Sequence, residues 1–138
     1  MKDIEQLNHS IIEFYDRFSS WEQSVVRDKS LSLAQTHTIE VLGSHGAMRM
    51  KELADRLGIT TGTLTVQVDK LVNAGFIERH PHETDRRSIL VRLTESGESL
   101  YREHNDLHLT LTQDITAHLD NNERAVLLKC LAKMNREF

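Results

Sequence analysis

The residues in this sequence that could do chemistry are recognisers rather than reactants. Thr60, Thr61, Gly62, Thr63, Thr65, Gln67 and Lys70 fall in one short stretch. Short hydroxyls suit phosphate oxygens and base edges, a glutamine can pair bidentately with adenine, and the methyls of Val66 suit a thymine methyl. Further along, Asp85-Arg86-Arg87 lies in a polar run. An arginine there could enter a narrow minor groove, where the negative potential is strongest, and Asp85 could hold the Arg87 guanidinium by a charge-assisted bond. His104 and His108 form a second constellation. At i and i+4 on a helix they share a face and could converge on one ion. Each set has a bland counterpart: an exposed threonine-rich helix, solvated loop arginines, and two solvated histidines. The sequence has no P-loop, Gly-x-Ser-x-Gly or His-Glu-x-x-His motif, which argues against an enzyme.

Positioning such a threonine face takes a particular set of elements. Met50, Leu53, Ala54 and Leu57 recur at i, i+3, i+4 and i+7, predicting a two-turn helix with Lys51, Glu52, Asp55 and Arg56 outward. Gly58 ends it and Ile59 plugs the turn. Thr60 and Thr61 offer hydroxyls to the bare N–H groups of a second helix, which turns Leu64, Val68 and Leu71 inward and stops at Gly75. Its outward face is polar and nearly uncharged, whereas a merely solvated face more often carries Glu–Lys pairs at four-residue spacing. Two β-rich runs, 76–79 and 88–93, flank a polar loop that holds the only proline, Pro81. Helix, turn, helix, hairpin is the order of a winged helix-turn-helix, which lays one helix in the major groove and a loop against the next groove.

These residues carry a resemblance. Lys51 to Ile59, Thr63-Leu64-Thr65, Val68-Asp69-Lys70-Leu71, Gly75 to Arg79, Asp85-Arg86-Arg87 and Val91 to Gly97 together resemble the MarR family of transcriptional regulators over essentially the whole chain. One departure is Arg49, where an N-capping Ser, Thr or Asp would suit the first helix of the pair. The resemblance implies a mainly α fold and an obligate homodimer, probing a pseudo-palindromic duplex DNA operator with the helix near residues 61–74 and with Arg87. It also implies a repressor modulated by an effector, in the cytoplasm. A winged-helix module that binds proteins and never touches DNA is the competing reading.

The same resemblance extends to a zinc-sensing branch of the family. His37 in Ala34-Gln35-Thr36-His37 is similar to that branch's second-helix motif, and His104 with His108 stands ten residues past Leu93-Thr94, as its histidine pair does. Glu22 would be the first-helix carboxylate, so the implied metal set is Glu22, His37, His104 and His108. A second site is not matched, because Lys29-Ser30 and Thr36 stand where its cysteine and glutamate would be. A fatty-acid-regulating branch has similar histidines, so an organic or acyl ligand is the alternative effector. Zinc would tie helices together and favour the DNA-competent spacing of about 34 Å between recognition helices; an organic ligand would wedge the lobes apart.

Composition sets the outer limits. At 138 residues and 38% apolar content, the chain is one domain in length, and its apolar content is thin for a helical monomer with long arms. The expected layout is a single domain 1–138, with a winged lobe at 31–94 and dimerisation helices at 1–30 and 95–138. Helices are expected over 3–26, over 33–42 ending at Gly43, from a Thr94 cap to about residue 119, and from an Asp120 cap with Glu123 closing a capping box. The last helix is apolar on more than one face, and the simplest cover for it is a second copy. Trp21 reads as core or dimer packing. No run approaches the ~18 apolar residues of a membrane span, and no apolar leader stands at the N-terminus. The one cysteine, Cys130, fits a reducing compartment and reads as a packed small hydrophobe, so a thiol redox sensor is disfavoured. Net charge is −4, but residues 49–92 balance at +2 and the remainder at −6, which points to modest affinity with steep salt dependence.

Overall fold

The computed structural model, described over residues 2–26, 31–82, 84, 85 and 88–138, contains six helices and one small sheet among those residues. The order is α1 (Lys2–Val26), α2 (Leu33–His45), β1 (Met48–Arg49), α3 (Met50–Leu57), α4 (Thr61–Asn73), β2 (Ile77–Pro81), β3 (Ile89–Leu93), α5 (Glu95–Ile115) and α6 (Asn121–Asn135). The mainly α winged helix-turn-helix expected from the sequence is the fold observed. The chain divides into two compact units, Met1–Tyr101 and Arg102–Phe138, a division that falls inside α5 and not at residue 94.

The core of the first unit is built from the apolar positions of α2, α3, α4 and the sheet. Leu53, Leu64, Val68, Leu71 and Val91 are completely buried, with Ile39, Leu42, Met48 and Ile77 beside them. The predicted periodicity of α3 and α4 therefore faces inward, while Met50, Leu57 and Ile59 pack at its margin. The sheet is antiparallel in the order β1-β3-β2. Ile77 pairs with Leu93 and Arg79 with Val91 across the hairpin, and Met48 pairs with Val91 on the other side. Strand β1 was not foreseen, because two residues carry no period; its pairing with a strand forty residues on creates it. Pro81 belongs to the end of β2 opposite Ile89, rather than to the loop.

Helix ends follow local chemistry. Ser32 and Gln35 close a capping box on α2, and Thr60 accepts the Thr63 N–H at the start of α4. Arg49 heads α3 without a side-chain cap. Gly58 ends α3 with φ +68°, a left-handed conformation that costs glycine least. Gly43 does not end α2, which runs on to His45 and is capped by Gly46. Gly43 is instead a packing position: a Cβ there would collide with the Tyr101 ring.

In the second unit the Asp120–Glu123 capping box forms as expected. The Arg124 guanidinium donates to the Thr116 carbonyl from Nε and Nη2, at 3.3 and 3.1 Å. No residue of α6 is buried. Cys130 is exposed, which corrects its reading as a packed residue: the apolar helix around it has nothing over it in a single copy.

Candidate nucleic-acid interface

Thr60, Thr61, Gly62, Thr63, Thr65 and Lys70 are all exposed along α4 and its cap, with Val66 beside them. Their hydroxyls are partly committed. Thr60 Oγ1 accepts the Thr63 N–H at 3.1 Å and donates to Thr63 Oγ1 at 3.0 Å; Thr65 donates back to the Thr61 carbonyl at 2.8 Å. Each of these oxygens keeps a lone pair, so the face remains a row of small hydrogen-bonding groups. Gln67 is placed differently from the sequence reading. It is half-buried, and its Oε1 lies 3.4 Å from the buried Thr38 hydroxyl. That hydroxyl has one proton and a nearer acceptor in the Ala34 carbonyl, at 3.0 Å, so Gln67 is leaned toward α2 without a strong bond. From the start of α4, position 67 is nearly two turns along, which rotates it to the flank of the exposed face.

The wing is tied to this helix. Arg79 on β2 makes an ion pair with Asp69 on α4, and the Arg92 Nε donates to Glu78 Oε1 at 2.6 Å across the hairpin. At the tip, Asp85 is half-buried and accepts the Ser88 hydroxyl at Oδ2, 3.2 Å away. Arg86 and Arg87 lie outside the described residues.

The residues expected to bind metal separate by unit. Within the second unit, His104 is buried and its Nε2 lies 3.0 Å from His108 Nε2. At this distance the two rings share a hydrogen bond, with the proton on one Nε2 and the lone pair on the other. Within the first unit, Glu22 on α1 and Glu40 on α2 bring carboxylate oxygens within 4.8 Å. Burial, and then the Glu22 carboxylate, push Glu40 from 4.5 up to about 7. His37 is exposed on α2, so the inward acidic position of that helix is Glu40, three residues on. Sequence reasoning passed over Glu40; the available signal was a carboxylate set inside the apolar run Ile39-Glu40-Val41-Leu42. Trp21 is half-buried, and its ring centroid lies 6.0 Å from that of Phe18. No helix among the described residues is long and apolar enough to cross a membrane.

Comparison with known proteins agrees with the geometry. The model of the MarR family matches residues 31–89. An uncharacterised HTH-type transcriptional regulator of Mycobacterium bovis, Mb0904, is 31% identical over 70% of this chain and 68% of its own. YfiV of Bacillus subtilis, another HTH-type regulator, is 32% identical over 52% of this chain; the match spans 45% of that protein, less than half its length. Among solved structures, FabT of Streptococcus pneumoniae in complex with DNA superposes with a TM-score of 0.85 at 26% identity, over 96% of this chain and 95% of that one. These relatives are transcriptional regulators and not enzymes, and the chain belongs to the MarR family of helix-turn-helix transcriptional regulators.

Proposed function

We propose that this protein is a homodimeric, sequence-specific DNA-binding regulator, acting as a repressor whose hold on an operator is set by an effector. The exposed threonine row of α4, presented by the winged lobe, is the observation that carries this reading. Thr61, Gly62, Thr63, Thr65 and Lys70 would meet the major groove, with Gln67 at its edge, and Asp85, Arg86 and Arg87 would serve the minor groove. The likeness to FabT, solved with DNA, supports a duplex as the partner. Dimerisation is supported by apolar side chains left on the surface: Ile4, Leu7, Ile11 and Phe14 on α1, and Val126, Leu128 and Leu131 on α6. A gel shift with genomic fragments at low salt is the test. Retardation that Arg87→Ala weakens about tenfold supports the reading. No retardation, or an Arg87→Ala protein with every activity intact, favours a protein-binding module instead.

For the effector, zinc is favoured over an organic ligand by one observation, the 3.0 Å approach of the His104 and His108 imidazoles. Two imidazole nitrogens from one helix face fit a borderline-soft cation. A bound ion would supply a fixed crosslink, and by binding the DNA-competent form more tightly would act as corepressor. Zinc titration of chelator-stripped protein should give stoichiometric binding that His104→Ala abolishes. Failure there, with DNA binding responding to acyl or phenolic compounds, transfers the effector role to an organic molecule.

A further inference from the structure

The wing turns around one imidazole. The backbone N–H groups of Thr84 and Asp85 both donate to His82 Nδ1, each at 3.2 Å, and the Thr84 hydroxyl lies 3.1 Å from the same atom. An amide N–H can only donate, so this nitrogen presents its lone pair and the ring proton sits on Nε2. The half-buried His82 is itself anchored, its N–H donating to the Ser88 carbonyl at 3.0 Å. Ser88 closes the loop on the other side: its N–H donates to the Asp85 carbonyl at 3.0 Å and its hydroxyl to Asp85 Oδ2 at 3.2 Å. Asp85 is thus held by His82 at its amide and by Ser88 at its carbonyl and carboxylate. Aspartate and asparagine side chains organise turns in this way, accepting from the N–H groups two and three residues on. Here a ring nitrogen fills the acceptor's place.

We infer that His82 is a positioning residue of the wing, whose Nδ1 acceptor fixes the Thr84–Asp85 backbone and so the tip offered to DNA. The inference rests on the DNA-contact reading above. His82 acts through Asp85 and need touch no nucleotide. Without the acceptor, two N–H groups of the tip turn to water and the loop gains conformations, and DNA must then select one of them.

The test uses the full chain at pH 8, where an ordinary imidazole is neutral. The probe is a duplex selected by the wild type from a randomised pool. His82→Ala should weaken binding about tenfold, the loss of the hydrogen bonds that order the tip, and His82→Asn, whose Oδ1 can accept the same N–H groups, should restore affinity to within about threefold. Nitrogen NMR should show His82 Nδ1 without a proton, and the Thr84 and Asp85 amides should lose exchange protection in the alanine variant but keep it in the asparagine one. Wild-type affinity in His82→Ala, an asparagine variant as weak as the alanine one, or a proton on Nδ1 overturns the inference and leaves the DNA reading standing. A wild type that selects no duplex overturns both.

Discussion

Two regions of this chain treat apolar side chains in opposite ways. In the winged lobe, α3, α4 and the sheet bury theirs completely: Leu53, Leu64, Val68, Leu71 and Val91 have no exposed surface. On α6 and the first half of α1 large apolar residues stand in solvent, with Leu128 71% exposed and Phe14 56%. The lobe's residues meet complementary faces contributed by six elements of one unit, α2, α3, α4 and the three strands, so it closes its own core. The exposed apolar residues of α1 and α6 belong to no such core. The first pattern is that of a domain which folds by itself, the second that of a surface which folding alone leaves unfinished.

Deleting a side chain from each region tests the contrast directly. Leu64→Ala should cost about 2–5 kcal/mol in urea unfolding, through lost burial and the cavity left behind. Leu128→Ala should cost no more than about 0.5 kcal/mol in dilute protein and should instead weaken self-association in sedimentation. Equal losses in the two variants would erase the distinction. A smaller probe lies at the edge of the lobe. A Cβ on Gly97 would strike the Phe76 carbonyl oxygen, which is backbone and cannot swing aside. Gly97→Ala should therefore cost about 1–3 kcal/mol in the same assay; an unchanged midpoint would show that the lobe yields where its packing says it cannot.

The smallest expected effect concerns Glu40, a group whose burial works against its charge. Its folded value of about 7 stands above the ordinary 4.5, so between those pH values the folded state holds a proton that the unfolded state has released. Stability therefore falls as pH rises through that window and stays lower above it. Glu40→Gln should leave stability near pH 4 unchanged and raise it at pH 8, when melts are followed in EDTA. A wild-type curve that is flat from pH 5 to 8 would contradict the shift.

Much of the fold was legible in the sequence because its signals are local. The seven-residue apolar spacing of α3, the Thr60 cap, Gly58 and the Asp120–Glu123 box each act within a turn or two, and each is observed. What escaped depends on distant partners. Strand β1 exists because Val91 and Leu90 are there to pair with it. Gly43 looks like a stop signal, yet it is a bare patch made for the Tyr101 ring. Gln67 belongs to the outward face by residue type and to the flank by helical rotation. Glu40 outranked His37 on α2 because burial is decided by the neighbouring elements, not by how suitable a side chain is as a ligand. The exposure of the threonine face was legible from composition, since its residues are small, polar and nearly uncharged, and they are exposed in the fold.

Thr94 carries a mechanical consequence. Its hydroxyl donates to the Gly75 carbonyl at 2.6 Å and accepts the Gly97 N–H at 3.1 Å, while its own N–H donates to the Phe76 carbonyl at 3.0 Å. One small side chain thereby rivets the exit of α4 to the entry of α5. A twist imposed on the first turn of α5 therefore has a direct hydrogen-bonded route to the segment that ends α4.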